Sequence, residues 1–183
     1  MTNFVEFRKI PRLSREIIIT EKLDGTNAVI FNGEDGEFLV GKKSAWITPE
    51  NDNHGFAKWA FANKQELHLL GPGYHFGEWW GQGIQRGYGL KEKRFSLFNV
   101  SRWGDSSIRP SCCHVVPTVC QGPFVDSTVN FALEMLSAGS IAAPGFQKPE
   151  GIVIFHTQSH YLFKKTFQFD DAGKGKDNLS CES

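Results

Sequence analysis

The chain has 183 residues, 40% of them hydrophobic, which suits one domain with its own core and excludes wholesale disorder. Lysine plus arginine and aspartate plus glutamate both number 20, so the formal net charge is zero; that argues against an electrostatic coat for bulk nucleic acid and leaves room for a local basic groove. No apolar run approaches the roughly 20 residues that cross a bilayer, and the N-terminal Met-Thr-Asn-Phe-Val-Glu-Phe-Arg lacks the plan of a secretion signal, so the expectation is a cytoplasmic protein without a membrane partner.

In chain order, residues 16–21 and 27–31 are β-rich runs joined by Leu23-Asp24-Gly25-Thr26. Asp-Gly between apolar runs predicts a hairpin. A turn at 32–36 precedes a strand at 37–41, so the N-terminal third reads as an antiparallel meander. Asn53 reads as the cap of a helix running to about Leu69, with Phe56, Trp59, Ala60, Asn63 and Leu67 on one face and Gly71-Pro72-Gly73 as its stop. Strands follow at 74–80 and 94–100, then a polar loop at 101–114. Ser127 reads as the cap of a second helix, with Val129, Ala132, Leu133 and Leu136 at helical spacing and Gly139 ending it. Residues 151–156 and 161–167 form a last hairpin around Gln158-Ser159. The class is α+β, with largely antiparallel sheets flanked by helices, in a domain spanning 1–169 and followed by a polar tail at 170–183.

Lys22 stands at the first turn, inside Thr20-Glu21-Lys22-Leu23-Asp24-Gly25-Thr26-Asn27. A turn lysine alone is ordinarily a solubilising charge. A deprotonated lysine amine, however, attacks phosphorus or carbonyl centres. Its reference pKa of ~10.4 means that it needs burial or a nearby cation. A Mg²⁺ ion held by carboxylates supplies one and also binds nucleotide phosphates, and Gly25 lets backbone come close to a ligand.

Other constellations carry less. Cys112, Cys113, His114 and Cys120 match no common zinc spacing and read as small buried residues, and the histidines form no triad with a serine or cysteine. The glycine-rich stretch 81–89, with Arg86, Lys91, Lys93 and Arg94, reads either as a mobile basic loop touching phosphates or as a plain solvated loop.

Lys22-Leu23-Asp24-Gly25-Thr26-Asn27 resembles motif I, K-x-D-G-x-N, of the covalent nucleotidyltransferase superfamily, which holds ATP-dependent DNA and RNA ligases and mRNA capping enzymes. Further motifs follow in order. Phe76-Gly77-Glu78-Trp79-Trp80 resembles motif III, and Arg94-Phe95-Ser96-Leu97-Phe98-Asn99-Val100 resembles motif IIIa. Pro149-Glu150-Gly151-Ile152-Val153-Ile154 resembles motif IV, and Tyr161-Leu162-Phe163-Lys164-Lys165 resembles motif V. The glycine-rich stretch from Gly77 and the Trp46-Ile47-Thr48-Pro49 segment are most similar to RNA ligases. The sequence beyond motif V is too short for the OB-fold that DNA ligases and capping enzymes normally need.

The resemblance implies an ATP-dependent RNA ligase with an adenylation domain lacking an OB-fold. Its cofactors would be ATP and Mg²⁺, and its partners RNA ends, a nicked duplex being one form. Lys22 would be the nucleophile that takes AMP. Glu78 would bind the ribose hydroxyls and Phe98 would stack on adenine. Glu150 would hold Mg²⁺, directly or through water. Lys164 would contact the α-phosphate, with Lys165 in reserve because the common K-x-K of motif V is here Lys164-Lys165-Thr166. Glu21, Asp24, Gly25 and Asn27 flank the nucleophile around the nucleotide. Lys43 stands where relatives tend to carry an arginine, which grips phosphate with two hydrogen bonds where lysine does not. Two alternatives stay open: a nucleotidyltransferase that passes AMP or GMP to another acceptor, and a non-catalytic RNA-binding module on a ligase fold.

Overall fold

The computed structural model of the chain describes residues 2–7, 9–168 and 170. Among the described residues, ten strands form two sheets. The smaller contains β1 (Glu16–Lys22), β8 (Thr118–Pro123), β9 (Gly151–His156) and β10 (Leu162–Thr166), in the order β10-β9-β1-β8, all antiparallel. The larger contains β2 (Thr26–Asn32), β3 (Phe38–Lys42), β4 (Ala45–Ile47), β5 (Gly73–Gly81), β6 (Lys93–Leu97) and β7 (His114–Val115). Its order is β4-β3-β2-β5-β6-β7, antiparallel except for the parallel β6–β7 pair. The class is therefore α+β. Among the described residues no helix is long and apolar enough to cross a membrane.

The predicted hairpin at Asp24-Gly25 does not form: β1 and β2 lie in different sheets, and Leu23-Asp24-Gly25 carries the chain between them. The crossing amides are claimed from afar. Asp24 N–H donates to the Tyr88 hydroxyl at 2.8 Å and Gly25 N–H to Glu78 Oε1 at 3.0 Å. Gly25 packs so closely on β5 that an added Cβ would strike the Trp79 carbonyl and come within 2.7 Å of Trp80 Cβ. Its small size thus serves the crossing of the sheets. The meander is real from β2 onward, through β3 and β4.

The helices of the described residues are α1 (Phe56–Ala62), α2 (Lys64–Leu67), α3 (Val100–Trp103) and α4 (Asp126–Ser137), with a 3₁₀ turn at His68–Leu70. The long helix expected from Asn53 breaks at Asn63, and Asp52, upstream of the N-cap position at Gly55, satisfies its first amides. That carboxylate accepts from the amides of Asn53, Ala57 and Lys58 at 2.7, 2.7 and 3.1 Å. The strand expected to reach residue 100 ends at Leu97, because Asn99 caps α3 by accepting from Arg102 N–H at 3.1 Å. Helix α4 begins one residue before Ser127 and no side chain caps it. β8 has no regular alternation of buried and exposed residues, so its sequence announces no strand.

Each sheet turns one face to helices and the other to the space between the sheets. Behind the larger sheet, Ile30, Val40, Phe95 and Leu97 pack on Phe56, Ala60, Leu67 and Trp103. Behind the smaller one, Ile17, Ile19, Ile152 and Ile154 pack on Ala132 and Leu136 of α4. Fully burying a Leu or Ile side chain contributes about 1.5–3 kcal/mol, so these two layers fix the sheets as platforms. A third cluster, Leu23, Trp80, Tyr88, Val116 and Ala143, closes the base where the chain crosses.

Candidate active site

The inner faces of the two sheets enclose a cavity of about 650 Å³. Strand alternation decides what enters it. In β1, Ile18, Thr20 and Lys22 line the cavity, while Ile17 and Ile19 are in the core against α4. Their partners across β9, Phe155 and Val153, line the same wall, and Lys22 pairs with Gly151 at its end. Glu150 therefore stands beside Lys22. The Lys22 amine donates to Glu150 Oε2 at 2.6 Å, with the two side chains 21% and 5% exposed. The opposite wall carries Asn27 of β2, Phe76 and Glu78 of β5, and Phe98 just past β6. Asn27 pairs with Glu78 across the strands, and its amide lies 3.5 Å from Glu78 Oε2.

Lys22, Asn27, Glu78 and Phe98 are thus brought together on one cavity, with Glu150 in contact with the lysine. Lys164 pairs with Val153 and so shares the cavity-side face of the smaller sheet with Leu162. Lys165 pairs with core residue Ile152, faces the other way, and meets Asp170 at 3.1 Å. The next residue on the cavity-side face of β10 is Thr166 rather than a second lysine.

Glu21 is also in the cavity lining, whereas Asp24, Gly25 and Lys43 are not. The buried Glu21 carboxylate accepts from Ser140 Oγ at 2.6 Å and from the amides of Ile141 and Ala142 at 2.8 Å each. Burial raises its pKa, and these hydrogen bonds only partly oppose the rise. Asp24 Oδ2 accepts from Arg86 Nε at 2.9 Å. Lys43 is exposed in the turn between β3 and β4, outside the cavity lining.

The 81–89 stretch is only partly solvated: Gln82, Gly83, Gln85 and Gly89 are exposed, while Gly81, Ile84 and Tyr88 are buried. Arg86 also donates to the Lys148 carbonyl at 3.0 Å, joining motif I to the segment before Glu150. Tyr88 is 3% exposed, stacks edge-on against Trp80, and has its phenol pKa raised, chiefly by burial. Glycines at 81, 83, 87 and 89, all with positive φ, give the loop its tight path. Sequence reasoning missed Arg86 and Tyr88 as supports of motif I. The available signals were two large apolar residues, Ile84 and Tyr88, inside an otherwise polar, glycine-rich loop.

Two sheets thus enclose a cavity lined by Lys22, Glu78 and Phe98, with Glu150 in contact with the lysine. Solved structures share the fold. Naegleria gruberi RNA ligase with pyrophosphate matches at TM-score 0.62 and 20% identity, covering 84% of this chain and 50% of that one. A mutant of the same ligase with ATP and Mn matches at TM-score 0.61 and 21% identity, covering 85% and 51%. Another with AMP and Mn matches at 0.62 and 20%, covering 84% and 50%. The chain spans about half the length of these structures. No curated protein matches it in sequence. The sequence profile of the family described as RNA ligase matches residues 15–170, and the chain belongs to that family.

Proposed function

We propose that this chain is the nucleotidyltransferase part of an ATP-dependent RNA ligase that forms a lysyl-AMP on Lys22 and joins RNA 5′-phosphate and 3′-hydroxyl ends. The observation that carries the reading is the 2.6 Å contact between Lys22 and Glu150 beside a cavity that Glu78 and Phe98 also line. The structures solved with ATP, AMP and pyrophosphate are of relatives, and they support the same reading.

The adenine lies between Phe98 on one wall and Val153 on the other, where a flat base meets a flat ring. Glu78 accepts from the ribose hydroxyls. Lys22 attacks the α-phosphorus: a nitrogen–phosphorus bond forms, the bond to pyrophosphate breaks, and the amine proton passes to Glu150 Oε2. The nucleotide then moves to the 5′-phosphate of RNA, and the 3′-hydroxyl of the other end displaces AMP. Lys164 offsets charge on the α-phosphate in each step.

Glu150 fits a Mg²⁺ ion, because carboxylate oxygen is what a hard cation prefers. When bound, the ion would supply charge neutralisation at the phosphates. Among the described residues no group of three or more His, Cys, Asp or Glu is placed to hold a metal. Phosphate oxygens and water would therefore complete its shell, as Mg²⁺ allows.

The test is incubation with Mg²⁺ and α-labelled ATP or GTP, followed by denaturation. Label retained by wild type with ATP, and absent from Lys22→Ala, is the expected result. Nicked RNA and DNA duplexes with 5′-phosphates, added afterwards, separate sealing from bare transfer of AMP. No label on wild-type protein would leave the non-catalytic module as the better reading.

A further inference from the structure

The larger sheet carries a row of aromatic rings, two of them in the cavity lining, that the chemistry above does not use. Tyr74 is 58% exposed, Phe76 57% and Trp46 46%. Tyr74 and Phe76 alternate with buried His75 on β5 and stand parallel, 6.0 Å between centroids and 9° between planes. Trp46 of β4 is stacked with Tyr74 at 6.3 Å and 20°, and Phe31 of β2 lies 4.6 Å from Tyr74. The row is built into the sheet. Trp46 pairs with Gly41, where an added Cβ would come within 2.9 Å of the indole, so the glycine gives the ring its seat.

We infer that this row is a stacking platform for unpaired nucleobases of the RNA strand whose end enters the cavity. Three observations favour this occupant. The platform is continuous with the nucleotide cavity, since Tyr74 and Phe76 line both. Arg102 lines the same cavity as Tyr74 and Phe76 and adds positive charge there, its guanidinium donating to the Leu70 carbonyl at 2.7 Å and lying over the Trp103 ring. The exposed groups are flat rings, which stack on any base whatever its sequence. The inference rests on the proposed RNA substrate and adds where, and by what contact, the strand is held.

The test measures fluorescence anisotropy of a labelled, 5′-phosphorylated oligoadenylate RNA and of an abasic oligomer of the same length. Trp46→Ala should weaken oligoadenylate binding about 5- to 150-fold, the loss expected for one stacked base. Trp46→Phe should recover most of it, and abasic binding should be weak and the same in all three proteins. Self-adenylylation should be unchanged in Trp46→Ala, which also shows that the variant folds. Equal binding of base-bearing and abasic oligomers, or of wild type and Trp46→Ala, would overturn the inference. So would sedimentation showing a wild-type dimer that Trp46→Ala dissociates, because the face would then belong to a second copy. Ring-dependent binding without any lysyl-AMP would refute the catalytic reading while leaving the platform standing.

Discussion

The Lys22 amine and the Glu150 carboxylate meet at 2.6 Å although 128 positions separate them. The antiparallel register of β1 and β9 is the cause: Lys22 is paired with Gly151, and Glu150 is its neighbour. Glu150→Gln keeps the size and removes the charge. Self-adenylylation should fall about 10²–10³-fold, the scale of losing one preorganised charge contact in a closed site. Single-turnover labelling measures it, and a rate near wild type would remove Glu150 from the chemistry.

Tyr88 accepts the Asp24 amide inside the cluster that closes the base of the cavity. Tyr88→Phe removes only the oxygen and leaves that buried N–H without its partner. The expected cost is about 1–3 kcal/mol in urea unfolding. An unchanged midpoint and slope would show that the crossing does not depend on this hydrogen bond.

Gly25→Ala should be more damaging than its exposed-turn appearance suggests. The new methyl has Trp79 backbone and Trp80 Cβ in its way, and neither gives as a flexible side-chain tip would. Overpacking of this kind costs about 1–3 kcal/mol. The shift would also move the amide from Glu78, so thermal melting and labelling rate should fall together.

The first of these features was readable in sequence and the others were not. Lys22 and the glutamates at 78 and 150 stand out because motif spacing survives without knowledge of the fold. The Asp24-Gly25 signal is local and says nothing about which sheet the next strand joins. Arg86 looks like a solvated charge because arginines usually are, and its partner Asp24 lies 62 residues away. Asn53 reads as the cap where Asp52 takes the amides of Ala57 and Lys58, because both residue types cap well and only the hydrogen bonds distinguish them. Strand periodicity likewise separated Lys164 from Lys165 only once the pairing with β9 was known.

His75 supplies a pH dependence. Burial, aided by the Arg102 charge, lowers its pKa below the usual 6.5, against the opposing pull of the Gly71 carbonyl at 2.9 Å. Between 6.5 and the lower folded value the unfolded chain binds more protons, so stability present above that window is lost as pH falls through it. The slope contributed is at most about 1.4 kcal/mol per pH unit. Urea midpoints taken from pH 7 to pH 5 should fall more steeply for wild type than for His75→Gln. Parallel curves would assign the dependence to other groups.

Peptide mapping by mass spectrometry, after incubation with ATP and Mg²⁺, locates the modification. An acid-labile AMP is expected on the peptide containing Lys22, at that side chain, and none in Lys22→Ala. AMP found on another residue, or retained at the same level when Lys22 is replaced, would contradict Lys22 as the nucleophile.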